Sequence, residues 1–236
     1  MEEQSLSFSL SQGSERSAKS TAKKGAGATP VDLWMHERGC LQRGFSFVAG
    51  VDEAGRGPLA GPVVACCASL PQEFNIGEIN DSKQLTAAVR DRIYDRIISD
   101  GISFGIGIVH SDEIDRINIL QATYAAMRLS VAALPQPPDF LLIDGLPVPN
   151  LFGCMQLAIV SGDSLSVSIA AASIIAKVTR DRMMRNYSVQ YPEYGFHQHK
   201  GYGSAMHLAA LRRHGPCPIH RRSFSPVSEL LEPTLL

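Results

Sequence analysis

Five apolar runs of strand length set the frame of this chain: Phe45 to Asp52, Val63 to Leu70, Ile102 to Val109, Phe140 to Asp144 and Met155 to Val160. Gly or Pro flanks them, as strand ends commonly require. Helical periodicity fits Thr86 to Ser99, Ile119 to Leu134, Ser164 to Tyr187 and Ser204 to His214. A shorter helix is expected to open at Thr29-Pro30-Val31-Asp32-Leu33 and run to about Gly39, with Pro30 at its first position. Three strands come early, followed by alternating helices and strands. That order predicts an α/β fold in which a mixed five-stranded sheet is flanked by helices, with a helical C-terminal part from about residue 188.

The first 28 residues fall outside this frame. Seven serines in the first twenty positions and the Lys23-Lys24 pair leave few large apolar side chains to offset ordering entropy, so a disordered tail is expected there. The rest of the 236 residues, at 44% hydrophobic content overall, can bury one good core. Lys+Arg of 22 against Asp+Glu of 23 gives a net charge of -1, so any nucleic-acid partner must meet local positive charge. Cys40, Cys66, Cys67, Cys154 and Cys217 are odd in number and contain no CxxC pair, which favours reduced, buried thiols over disulfides or zinc. The acidic start Met1-Glu2-Glu3-Gln4, and the lack of an apolar stretch of the roughly 20 residues that cross a bilayer, predict a soluble cytoplasmic protein without a membrane partner.

The chemistry concentrates where strands end. Asp52 and Glu53 close the first apolar run and lead into Ala54-Gly55-Arg56-Gly57-Pro58-Leu59-Ala60-Gly61. Adjacent carboxylates repel, and the glycines cost backbone entropy, so a bound cation supplies the reason to keep them together. Arg56 between two glycines suits a phosphate. Asp144 ends the fourth run, and ligands of open α/β sheets gather beyond the carboxyl ends of strands. Asp163, in Ser161-Gly162-Asp163-Ser164, precedes a long helix rich in small residues and reads both as a helix cap and as a fourth acid. Four carboxylates without His or Cys suit Mg²⁺ or Mn²⁺ better than zinc, in pairs about 4 Å apart that act on a phosphodiester.

Between Lys177 and Arg222, nine basic residues, among them Arg180, Arg182, Arg185 and Arg221, face only two acids, Asp181 and Glu193. With Tyr187, Tyr191, Tyr194, Phe196 and Tyr202 they predict a basic, aromatic-bearing surface for a nucleic-acid backbone. Lys83, in Asn80-Asp81-Ser82-Lys83, is a further candidate phosphate contact.

In their order, these segments closely resemble bacterial ribonuclease HII over roughly residues 30 to 228. The resemblance rests on Gly50 to Pro58, Asn80 to Lys83, Ile143-Asp144-Gly145, Gly162-Asp163 with Ser168 to Lys177, Lys200-Gly201-Tyr202-Gly203 and His220-Arg221-Arg222-Ser223-Phe224. It implies a ribonuclease H-like fold, a catalytic domain over residues 29–228 and a short tail at 229–236. It also implies an endonuclease, dependent on Mn²⁺ or Mg²⁺, that cuts the RNA strand of RNA-DNA hybrids and ribonucleotides embedded in duplex DNA. Carried over by position, Asp52, Glu53, Asp144 and Asp163 become the catalytic and metal-binding residues, with Asp163 joining a second ion when substrate is bound. Gly55, Arg56 and Gly57 would contact the ribonucleotide, Tyr202 would pack by the following sugar, and Lys83 and Lys177 would bind substrate. A monomer is implied as well.

The expected reaction is hydrolysis with two ions across the scissile phosphate and in-line attack by water, leaving a 5′-phosphate and a 3′-hydroxyl. Two rivals remain open on the residues. Gly55 to Gly61 loosely matches a dinucleotide-binding turn, but the next segment reads as a strand where that motif needs a helix. A hybrid-binding module without chemistry would have no use for all four acids.

Overall fold

The Asp139 carboxylate decides where the first strand begins. It accepts the amides of Ser46 and Phe47 at 2.7 and 3.0 Å, withdrawing both from sheet pairing. Strand β1 therefore spans Val48–Ala54, starting later than the apolar pattern suggests and carrying Asp52 and Glu53 within its last three residues. In this computed structural model, residues 31–72, 74, 85–151 and 153–231 are described. Lys83 with Asn80 to Ser82, the serine-rich segment 1–28, and Thr29 and Pro30 lie outside the described residues.

The other strands are β2 (Val63–Ser69), β3 (Ser103–Val109), β4 (Phe140–Asp144) and β5 (Met155–Ile159), within a residue or so of expectation. Their order is β3-β2-β1-β4-β5. β2 runs antiparallel to both β1 and β3, whereas β4 is parallel to β1 and to β5, so the sheet is mixed. That β2 follows the glycine turn as a strand removes the dinucleotide-binding reading.

Helices cover both faces. They are α1 (Met35–Gln42), α2 (Ala87–Ser99), α3 (Ser111–Ala132), α4 (Val167–Gln190), the single turn α5 (Phe196–His199) and α6 (Ala205–His214). Alternate residues of β2 separate two cores: Val64, Cys66 and Ala68 pack with α4, and Val63, Ala65 and Cys67 with α3. Cys66 and Cys67 therefore point to opposite faces, and all five cysteines are free. Gly50 lets α4 approach the sheet, because a Cβ there would lie 2.2 Å from the Ile169 amide nitrogen.

Three helix starts differ from the sequence reading. α1 begins at Met35, after a turn in which the Asp32 carboxylate accepts the Trp34 amide. α3 extends back to Ser111 across Asn118, whose φ of 66° and ψ of 164° break the helix while its side-chain oxygen accepts the Leu120 and Gln121 amides. α4 is capped by Ser166, which accepts from the Ile169 amide, so Asp163 is not its cap. No described helix is long and apolar enough to cross a membrane.

Candidate active site

Parallel pairing of β1 and β4 brings the acids together. Val51 pairs with Ile143, so Asp52 and Asp144 occupy the next step on adjacent strands and share one face. Glu53 leaves the opposite face of β1, yet all three carboxylates line a single cleft of about 530 Å³ at this end of the sheet. Ala54, Gly55, Arg56, Gly57, Lys177 and Tyr202 line it too. Asp163 is not on the cleft wall. It is 1% exposed, in a short turn (Gly162–Ser164) whose Gly162 amide donates to Asp144 at 2.7 Å.

The electrostatics are those of crowded, buried carboxylates. Burial raises the Asp52 pKa well above the carboxylate range, and the charges of Glu53 and Asp144 raise it further, against hydrogen bonds from Ser173 and the Glu53 amide. Burial also raises Glu53; Arg56, with its guanidinium 3.5 Å from the Glu53 carboxylate, pulls the other way. Among the described residues, no three His, Cys, Asp or Glu side chains form a ready-made cage for an ion. An all-oxygen set open to a cleft suits a hard cation that keeps waters and takes further oxygens from a substrate phosphate.

The glycine turn is held from beneath by two buried arginines. Arg180 of α4 donates to the carbonyls of Pro62, Ala60 and Lys200 at 2.9, 3.1 and 3.0 Å. Arg221 donates to Gly61, Arg56 and Gly55 at 3.0, 2.8 and 2.5 Å. Burial lowers their pKa values to about 10 and about 9, so both remain charged near neutrality and are satisfied by backbone dipoles. Gly55 belongs to this framework: at φ +98° a Cβ would strike Arg180 at 2.1 Å. Gly57 does not. A Cβ there meets only the Tyr202 ring, at an ordinary 3.7 Å, so the fold leaves the space between turn and ring open without needing it.

The expected basic surface needs correction. Arg180 and Arg221 are buried, as are Tyr194 and Phe196, and Arg182 pairs with Asp91 and Asp95 of α2 while Arg185 pairs with Asp91. Lys177 reaches the cleft with its ammonium 2.8 Å from Asp181, and Tyr202 presents a half-exposed ring. Ser173 and Arg90 also line the cleft, and neither is among the site residues that the sequence predicts. Ser173 hides in a run of small helix-packing residues, and only its seven-residue offset from Ser166, two turns along α4, signals that it shares the cap's face.

A family model described as Ribonuclease HII matches residues 49–227. The chain belongs to the ribonuclease HII family. Ribonuclease HII of Listeria innocua serovar 6a is 50% identical over 215 residues, 91% of this chain and 79% of that protein. The crystal structure of ribonuclease H2 from Pyrococcus horikoshii OT3 superposes with a TM-score of 0.66 at 29% identity, covering 78% of this chain and 97% of that one. Bst-RNase HIII in complex with Mn²⁺ shares the fold, with a TM-score of 0.61 at 22% identity over 89% of this chain and 75% of that one. Ribonucleases HII hydrolyse the RNA of RNA-DNA hybrids and act on ribonucleotides in DNA, and this chain is a ribonuclease H by that relationship.

Proposed function

We propose that Asp52, Glu53, Asp144 and Asp163 hold the divalent ions, Mn²⁺ or Mg²⁺, with which this chain cuts RNA-DNA hybrids and ribonucleotides embedded in duplex DNA. The observation that carries the reading is the meeting of Asp52, Glu53 and Asp144 in one cleft with Gly57 and Tyr202. Bound ions supply an activated water and stabilise the departing oxygen. The protein's own groups do the rest. The carboxylates fix where the phosphodiester must lie, Asp163 following the Gly162 whose amide donates to Asp144. Gly55, Arg56 and Gly57 meet the ribonucleotide, since backbone at glycine can approach a 2′-hydroxyl without side-chain interference. Tyr202 packs against the adjoining sugar, and Lys177, Lys83 and the Arg56 guanidinium neutralise the strand's phosphates. The products carry a 5′-phosphate and a 3′-hydroxyl. Residues 29–228 form the catalytic domain, acting as a monomer in the cytoplasm.

The test is cleavage of a duplex with one embedded ribonucleotide beside an RNA-DNA hybrid and an RNA-RNA duplex, each with Mg²⁺ and with Mn²⁺. Metal-dependent cutting of the first two alone is expected. Cutting of the RNA-RNA duplex, or cutting in the presence of chelator, would contradict it.

A further inference from the structure

Behind Tyr202 lies a buried pair of histidines outside the carboxylate site. His207, in α6, places Nδ1 2.9 Å from the Tyr202 carbonyl and Nε2 3.0 Å from Nε2 of His220. His220 places its own Nδ1 3.0 Å from the Cys217 amide nitrogen. Both imidazoles are at most 2% exposed.

This sequence of partners admits one arrangement of protons. A carbonyl can only accept, so His207 carries its proton on Nδ1 and offers a bare Nε2. The Cys217 amide can only donate, so Nδ1 of His220 is bare and its proton sits on Nε2, aimed at His207. Every donor then meets an acceptor from Cys217 N–H to Tyr202 C=O. An extra proton on His207 would set two N–H groups against each other, and one on His220 would face the Cys217 amide. Two neutral rings of opposite tautomer are therefore the only state that closes the chain.

The chain joins the two walls of the cleft. His220 pairs with Ala60 in an isolated bridge, and the next residue, Arg221, grips the carbonyls of Gly55 and Arg56. Its other end holds Tyr202 through His207. We propose that His207 and His220 are positioning residues that set the spacing between the Gly55-Arg56-Gly57 turn and the Tyr202 ring, and so the preference for an embedded ribonucleotide. This rests on the assignment above of turn and ring to the ribonucleotide and its neighbouring sugar.

The surroundings support the neutral state. Burial and the neighbouring histidines lower the pKa of His220 to about 4 against a bond with the Cys217 backbone, and burial lowers that of His207 against bonds with the Tyr202 and Gly201 backbone. The titratable groups facing the pair are His199, stacked on His207 at 4.5 Å, Cys217, with Sγ 3.1 Å from His220 Nδ1, and Tyr194, its ring centroid 4.9 Å from that of His220. Further out, Lys200 and His197 act on His199, Glu193 acts on Cys217 and Tyr194, and the charged Arg180 acts on Arg221.

Two measurements on the full chain test this. Nitrogen-15 imidazole spectra at pH 7 should show His207 protonated on Nδ1 alone and His220 on Nε2 alone; a cationic ring, or His207 protonated on Nε2, overturns the proposal. The second is the ratio of cleavage at a single embedded ribonucleotide to cleavage of a continuous RNA-DNA hybrid, which loss of folded protein would leave unchanged. His207→Leu should lower that ratio by about tenfold to a hundredfold, the upper figure being what a misplacement of about 1 Å can cost. His207→Asn, whose amide can still donate to the Tyr202 carbonyl, should restore most of it. An unchanged ratio in His207→Leu, or no recovery in a folded His207→Asn, also overturns the proposal. If the unaltered chain cuts neither substrate, the functional reading itself fails and takes the proposal with it.

Discussion

Arg221 donates to the carbonyl of Gly55 at 2.5 Å across 166 positions of chain, fastening the C-terminal segment beneath the turn that follows the acidic pair. This one guanidinium holds three carbonyls, those of Gly61 and Gly55 in buried bonds and that of Arg56 in a part-buried one. A lysine cannot reproduce the planar fork, so the nominally conservative change is not conservative here.

Arg221→Lys should therefore destabilise the protein by about 2–4 kcal/mol, given roughly 1–3 kcal/mol for each buried polar group left unpaired. Urea unfolding of both proteins measures it. A loss below about 0.5 kcal/mol, the level of ordinary surface changes, would show that the turn is held by other contacts.

Gly55→Ala and Gly57→Ala should separate folding from function. The first places a methyl group against Arg180 at a backbone angle that favours glycine, and should lower the melting temperature. The second meets nothing closer than the Tyr202 ring at 3.7 Å, and should leave melting unchanged while impairing cleavage at a single ribonucleotide. Thermal melts and initial rates on the two variants decide it; equal activity of Gly57→Ala and the parent would remove the turn from substrate contact.

How much of this was legible in the sequence depended on range. Strand lengths and the acids at strand ends follow from local patterning, and four of the five strands begin within a residue of the apolar runs. β1 begins late because Asp139, 93 positions away from Ser46, takes the amides, and no local pattern carries that information. Arg180 and Arg221 read as surface charge because sequence shows a side chain's charge and not the carbonyls around it. The break at Asn118 was hidden for a related reason: residues 111–117 are mostly polar, and the helix they form shows little apolar periodicity. The histidine pair was invisible, since His207 and His220 acquire meaning only from the partners of each ring nitrogen.

Tyr202→Ala should abolish the preference for a ribonucleotide followed by deoxyribose, whereas Tyr202→Phe should retain much of it. The ring, not the hydroxyl, borders the open space beside Gly57. Cleavage-site mapping on a duplex with a short embedded RNA stretch distinguishes the two. Equal loss in both variants would assign the recognition to the hydroxyl.

Asp52→Asn should make the metal-free protein more stable, not less. The Asp52 pKa is raised in the fold, so the folded state holds its proton to higher pH than the unfolded chain, and stability falls as pH rises from the ordinary carboxylate range through the raised value. Removing the charge removes that loss. A melting temperature a few degrees higher at pH 7 without metal is expected, each 1 kcal/mol being worth roughly 2–4 °C in a chain of this size. Added Mn²⁺ should raise the melting temperature of the parent more than that of the variant. A variant that melts lower than its parent across the pH range would contradict a raised Asp52 pKa, whether from burial or from the neighbouring carboxylates.

Asp52→Asn also tests whether the acidic cleft is the catalytic site. Single-turnover cleavage of a duplex with one embedded ribonucleotide, at saturating Mn²⁺ and with folding verified by melting, should fall by more than about a hundredfold in Asp52→Asn, as expected when a charge-stabilising group is lost from a reacting centre. A folded Asp52→Asn protein that cuts at a rate close to the parent's would contradict the assignment of the acidic cleft as the catalytic site.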